Sequence, residues 1–396
     1  MTGFLLPLLI TLAVQVQASL VIFTPPILAP IAQHDVGVSA AAIGLVTALV
    51  YVAAVPAALF SGNAIERWGA IRVSQLCVLV TSSGMAIMAV PNPWVIALGA
   101  LIIGIGYGAV TPASSTVLAD RVPGGMRSLM FSVKQTGVPI GGAIAGTLVP
   151  FLINATSWQH AAIYVSLIGI VVIVVAQPIQ RSVDSASARR HVSRGGGLLD
   201  PLRLVFSHAG LRELALSSFA FSGMQMCLGS YLVVLLTERA LLSVSVAGGA
   251  LSVAMVAGIF GRLFWGVLAD YGFSPRTVLG LLGIMMAVCA ALITLISAGW
   301  PIGLIYVLAF LFGASAVGWN GVYLAEVARI APAGLAGPAT GASLATTYSG
   351  VVFLPSIFWL THAVTHSYAP GFIFVGLLTL WRGVLFLRAS KDHSAT

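Results

Sequence analysis

Twelve runs of mostly apolar residues follow one another along the chain, at about 4–30, 40–62, 71–90, 94–118, 127–151, 159–178, 213–236, 245–268, 276–298, 301–325, 337–361 and 370–388. Roughly 20 such residues in a helix cross a hydrocarbon core about 30 Å thick. The sequence therefore predicts an all-α integral membrane protein with twelve transmembrane helices. Composition leaves little room for anything else: 59% of the 396 residues are hydrophobic and only 7% are charged, where a soluble domain carries about a quarter. The first run has no basic n-region and continues past Ala18 to about Ile31, so it is expected to be a transmembrane helix and not a signal peptide.

The few charges test the count of spans. With the N-terminus inside, the inner links hold Arg67, Arg72, Arg121, Arg127, Arg181, Arg189, Arg190, Arg194, Arg203, Arg212, Arg276, Arg329, Arg388 and Lys391, and the outer links hold Arg239 alone. That asymmetry is the positive-inside rule. It predicts cytoplasmic termini and an inner (plasma) membrane location. The net charge of +8 is then mostly topology, and no nucleic acid is needed to explain it. Arg382, near the inner end of the last span, is expected to snorkel toward the surface. Two cations remain at depth, Lys134 and Arg262, while every acid and histidine falls near a span end or in a link. Cys77, Cys227 and Cys289 sit in separate apolar runs and read as small buried hydrophobes. Neither a metal site nor a cofactor is expected.

The two halves echo each other. A polar stretch at 179–212 separates six spans from six, which predicts an N-terminal bundle at 1–178, a cytoplasmic linker at 179–212 and a C-terminal bundle at 213–396. Span two runs into "SGNAIERWGAIR" and span eight into "FWGVLADYGFSPR", each with a Gly four residues before an acid and a second Gly after it. Such weak similarity marks a duplicated six-helix unit. At these residues the chain resembles the bacterial type of the major facilitator superfamily. Gly62, Glu66, Arg67, Gly69 and Arg72 match that family's loop motif, with Glu66 in place of Asp and Ala70-Ile71 in place of paired basic residues. Gly266, Asp270, Gly272 and Arg276 form a second copy. The resemblance implies that these loops latch one conformation, the acid lying near a helix N-terminus where the dipole favours it. "TGVPIGGAIAG" is similar to the family's fifth-helix motif, but Val138 interrupts its Gly-Pro pair. Gly141, Gly142 and Gly146 are read as close helix packing.

Lys134 and Arg262 carry the functional reading. One Arg or Lys at mid-helix costs about 2.5–3.5 kcal/mol even on permissive scales, and no carboxylate in the spans offsets either. An anionic substrate would. The resemblance places helices five and eight beside a central cavity. "GRLFWG" is similar to the eighth-helix pattern of monocarboxylate and oxalate/formate transporters, whose Arg binds substrate carboxylate. Monocarboxylate transporters carry an acid one turn before that Arg, where this chain has Gly258. By the same resemblance, helices one, four, seven, ten and eleven offer Gln15, Ser19, Tyr107, Thr111, Ser222, Gln225, Trp319, Asn320, Tyr323 and Tyr348 to the cavity. The sequence thus predicts a monomeric secondary active transporter of a small organic anion, in the first place a monocarboxylate, working by alternating access. Protons or a counter-anion would be the coupling partners, and membrane lipids would contact the linker. A proton-coupled drug or metabolite exporter is the first alternative, though no carboxylate lies within a span to bind a cation. A receptor or scaffold on the same fold is the second, and short tails speak against it. An enzyme is not expected, since the spans hold no nucleophile–base pair.

Overall fold

The computed structural model describes residues 5–121, 130, 133–187, 200–332 and 336–394. Within those helices a few side chains, Glu66's among them, lie outside the described residues. Among the described residues every regular element is helical: α1 (Leu5–Val36), α2 (Ile43–Trp68), α3 (Ala70–Ile87), α4 (Pro93–Arg121), α5 (Gly137–Ala155), α6 (Trp158–Ser187), α7 (Asp200–Ser207), α8 (Ala209–Glu238), α9 (Val244–Tyr271), α10 (Pro275–Ile293), α11 (Ile302–Ala316), α12 (Asn320–Ile330), α13 (Ala336–Thr365) and α14 (Ala369–Ser394), with a short 3-10 turn at Ala40–Ala42. Twelve stretches are long and apolar enough to cross a membrane, at the places the sequence predicts. The fifth begins at Val133, ahead of a turn at Thr136, and the tenth joins α11 to α12 across a break.

The chain divides into two compact units, Met1–Ser193 and Arg194–Thr396. The polar stretch 179–212 is not one loop: α6 runs on to Ser187, and α7 and the start of α8 take up its second half. In the first unit α2 lies directly on α4, where a Cβ at Gly104 would strike the Val50 carbonyl. In the second, α9 lies on α11 in the same way, with Gly313 against the Ala254 carbonyl. Likewise α5 lies on α1 through Gly141, 2.5 Å from the Val16 oxygen for an added Cβ, and α13 lies on α8 through Gly350. Small residues let helices approach where lipid supplies no hydrophobic drive. The sequence duplication is thus repeated in the packing.

Each unit is also tied at one end. Asp35, near the end of α1, accepts from Trp158 Nε1 at 2.6 Å, at the start of α6. Glu238, the last residue of α8, accepts from the Tyr368 hydroxyl at 2.5 Å, just before α14. The outward faces are apolar: Leu167, Ile170, Val171 and Val174 of α6 are exposed, as a lipid-facing helix requires.

One expectation needs correction. Arg382 does not snorkel. It is 5% exposed, and its guanidinium donates to Ser217 Oγ (3.0 Å) and the Glu213 carbonyl (2.8 Å), bonds that compensate burial. Glu326 does lie at a span end, one residue before Val327. It is fully buried, held by Arg329 at 2.6 and 2.7 Å and facing Arg276 at 3.4 Å.

Candidate substrate-binding site

Lys134 is 1% exposed. It stands in the short helical stretch 133–135, just before the turn at Thr136 that leads into α5. Thr136 closes that turn by donating its hydroxyl to the Val133 carbonyl at 2.6 Å. The Lys134 ammonium reaches Thr111 Oγ1 of α4 at 3.4 Å and Gln135 Oε1 at 3.2 Å. Among the described residues no carboxylate pairs with it. Two neutral oxygens leave a buried positive charge under-compensated. Tyr107, one turn before Thr111, is half-buried and meets Tyr51 edge-on at 5.7 Å.

Gln15 and Ser19 of α1 join this group through the close packing on α5. A Cβ at Gly137 would lie 2.9 Å from Gln15 Cβ, so the glycine admits the amide beside the turn that carries Lys134. Both residues are 1% exposed, and Gln15 Nε2 donates to Ser19 Oγ at 3.4 Å. Gln15 Oε1 is buried with no hydrogen-bond partner among the described residues. A buried orphan acceptor costs about 1–3 kcal/mol unless a ligand or water supplies a donor. Gln135 was not among the residues singled out from sequence. An amide adjacent to a lysine in a span was the available signal.

The second unit holds a separate polar and aromatic group. Gln225 Oε1 of α8 accepts from Trp319 Nε1 (3.1 Å) and Asn320 Nδ2 (3.2 Å), at the break between α11 and α12. Trp319 is 1% exposed and packs edge-on against Phe221 and Tyr323. The Tyr323 hydroxyl is buried with no hydrogen-bond partner among the described residues. Tyr348 is half-buried in α13. Ser222, expected toward the cavity, donates instead to the Thr347 carbonyl at 2.7 Å and so ties α8 to α13.

Arg262 is half-buried, and its Nε donates to the Val317 carbonyl at 3.1 Å. Trp265 Nε1 donates to the Ala314 carbonyl at 2.9 Å. A broken helix frees backbone carbonyls at membrane depth, where they must find partners. Two side chains of α9 supply them. Gly258, one turn before Arg262, faces Val317, and an added Cβ there would lie 2.5 Å from Val317 Cβ. The position has no room for an acid.

The loops read as latches are partly described. Gly69 has φ +90° and lies against Asp184 of α6, so any side chain there would be both strained and obstructed. Asp184 accepts from the N–H groups of Ile71 (2.9 Å) and Arg72 (3.1 Å), so an acid from another helix caps α3. The side chain of Glu66 and the surroundings of Gly62 lie outside the described residues. In the second copy Asp270 is exposed, and Ser274 caps α10 through the Thr277 N–H at 3.2 Å. Gly266 lies in open space, and Arg276 turns to Glu326. Arg329 is held above the ordinary guanidinium range, first by its hydrogen bond to Glu326 and then by that charge.

Known proteins match this architecture along its length. The chain is 26% identical over 389 residues to the gentisate transporter of Corynebacterium glutamicum, covering 90% of this chain and 82% of that one. It is 32% identical over 137 residues to the gallate transporter of Pseudomonas putida, covering 33% of this chain and 30% of that one. Among solved structures, a nucleoside transporter superposes with a TM-score of 0.77 at 14% identity, over 97% of this chain and 99% of that one. A bacterial homologue of the human lysosomal transporter Spinster gives 0.72 at 17% identity, over 98% and 97%. At such identities these two structures speak for the fold alone. With twelve spanning helices in two echoing units, and with the family model of the Major Facilitator Superfamily matching residues 8–355, the chain belongs to that superfamily of membrane transporters.

Proposed function

We propose that the chain carries a small organic anion, in the first place an aromatic monocarboxylate, across the inner membrane by alternating access. Lys134 holds the negative group, and Gln15 Oε1 accepts from a hydroxyl of the substrate. The observation that carries this reading is the burial of Lys134 with only Thr111 and Gln135 for partners among the described residues. Similarity to proteins named for gentisate and gallate transport supports an aromatic acid. Gln225, Trp319, Asn320, Tyr323 and Tyr348 contribute a largely neutral, aromatic surface that suits a compact acid better than a polyanion. Arg262 adds positive charge while it stabilises the break between α11 and α12. With every acid near a span end or in a link by sequence, the substrate itself or a cation-bound water carries H⁺ in symport, or one anion exchanges for another. The glycine loops at Gly62–Arg72 and Gly266–Arg276 act as conformational latches, and the protein works as a monomer with both termini cytoplasmic.

The test is thermal unfolding of the purified protein against hydroxybenzoates, aliphatic carboxylates and cationic amphiphiles. A ligand at a hundred times its dissociation constant stabilises by about 2.7 kcal/mol. Selective stabilisation by hydroxybenzoates, lost in Lys134→Ala and weakened in Arg262→Gln, is the expected result. Stabilisation by cationic amphiphiles that survives Lys134→Ala would overturn the anion reading in favour of an exporter of cations.

A further inference from the structure

An aromatic acid held by its carboxylate at Lys134 still needs a seat for its ring, and the packing around the lysine closes one direction. Leu118 of α4, Leu8 of α1 and Met130 are buried together, with Val133 packed against them. That cluster fills the side of Lys134 toward the C-terminal end of α4, about 10 Å beyond Thr111 along the helix. In the opposite direction, one turn back from Thr111 and on the same face of α4, stands Tyr107. Its ring is half-buried, so part of it stays open.

The register of α1 against α4 points the same way. As the first and fourth crossings the two helices run antiparallel, and Leu8 and Leu118 share the apolar cluster. Seven residues from that contact along each helix stand Gln15 and Thr111, and eleven along stand Ser19 and Tyr107. With equal rise per residue these pairs lie level. The orphan Oε1 of Gln15 thus shares a level with the partner of Lys134, and Tyr107 occupies the next.

Tyr107 has little latitude. Tyr51 of α2, 6% exposed, meets it edge-on, with ring centroids 5.7 Å apart and planes at 71°. On either side of Tyr107, Gly104 and Gly108 bring α4 against the carbonyls of Val50 and Ala54, which flank Tyr51 on α2. The two backbones are in contact at the very turn that carries both tyrosines. Neither ring can swing away without parting the helices.

Resting on the reading of Lys134 as the anion site, we propose that Tyr107 is the surface on which the substrate's aromatic ring packs. Tyr51 is a positioning residue that holds the Tyr107 ring in place. The choice between an aromatic and a saturated acid is then made in the N-terminal unit, one helical turn from the carboxylate. A saturated ring buries similar area but lacks the quadrupole that favours offset and edge-on contact between aromatic rings.

The test measures the dissociation constants of benzoate and cyclohexanecarboxylate, which share a carboxylate and a six-membered ring. Titration calorimetry is carried out on the purified full chain for the wild type, Lys134→Ala, Tyr107→Leu, Tyr51→Leu and Tyr51→Phe. The wild type is expected to favour benzoate about threefold to tenfold. Tyr107→Leu should bring that ratio close to one while both acids still bind. Tyr51→Leu should lower it part of the way, and Tyr51→Phe, which keeps the ring, should restore it. Equal wild-type affinity for the two acids, or a ratio undiminished in either leucine variant, overturns the proposal. If neither acid binds, or both bind as well to Lys134→Ala, the anion site lies elsewhere and the reading beneath the proposal falls with it. Should Tyr107→Leu fail to fold, the wild-type ratio and the contrast of Tyr51→Leu with Tyr51→Phe decide.

Discussion

Lys134 and Gly258 show how far a single position can be understood from its own chemistry. A lysine inside an apolar span, with no acid near it in sequence, already implies a missing counter-charge, and among the described residues the fold supplies only Thr111 and Gln135. Replacing such a charge by an apolar side chain of similar volume is often neutral or stabilising, because the desolvation penalty disappears. Lys134→Met is therefore expected to unfold at or above the wild-type temperature while losing stabilisation by hydroxybenzoates. A structural lysine would behave oppositely, with Met lowering the unfolding temperature and leaving ligand effects intact. Gly258 invites the reverse experiment, since monocarboxylate transporters have an acid at that position. With Val317 Cβ 2.5 Å from where a Cβ would stand, Gly258→Glu is expected to cost about 1–3 kcal/mol of stability by overpacking. Unchanged unfolding would mean that α9 and α11 separate more easily than their contact suggests. The separation of Lys134 from any acid was legible in the sequence, because the absence of neighbouring acid is itself written there. The partner of Arg262 was not, because the Val317 carbonyl becomes available only where the tenth span breaks.

At the scale of elements, length and hydropathy locate the spans, yet say little of how their ends are held. The link between α2 and α3 shrinks to Gly69, and α3 begins at Ala70 with no Ser, Thr, Asp or Asn to cap it. The missing cap comes from Asp184, 113 residues from Ile71 along the chain, a relation no local pattern encodes. Losing a side-chain cap costs about 0.5–2 kcal/mol, so Asp184→Ala should lower the unfolding temperature and speed hydrogen exchange at Ile71 and Arg72. Unchanged exchange there would show that the cap is dispensable. The tie between α8 and α14 gives a pH prediction. Burial first, then its bond to Glu238 and that residue's charge, push the Tyr368 phenol above its ordinary range. In the unfolded chain tyrosine ionises near pH 10. The folded protein therefore holds a proton that the unfolded chain has lost, and stability falls as pH rises past about 10, the contribution being fully present below it. His362, whose ring lies 4.3 Å from that of Tyr368, faces the same phenol. Between pH 9 and 11 the wild type should lose more stability than Tyr368→Phe, and parallel pH profiles would remove the phenol from the account.

Over the whole molecule the readable quantity is topology. Twelve apolar runs give the number of crossings and the bias of arginine toward alternate links predicts their sense, because one misplaced span would scatter the basic residues over both sides. The duplication was legible only faintly, as two glycine–acid loops, while the structure repeats it in the glycine contacts of α2 with α4 and α9 with α11. Backbone approach leaves little trace in sequence beyond a small residue. The predicted sense of insertion can be tested with single cysteine reporters. Cys77, Cys227 and Cys289 are buried, so the unmodified chain gives a low background. Phe273, 52% exposed, precedes α10, and Ala298 is exposed in the link before α11, so the two lie at opposite ends of the ninth span. With cytoplasmic termini, a membrane-impermeant maleimide applied to intact cells should label Ala298→Cys and spare Phe273→Cys, and inverted vesicles should reverse the pattern. The opposite labelling would turn the protein over, and with it every link that carries the basic residues.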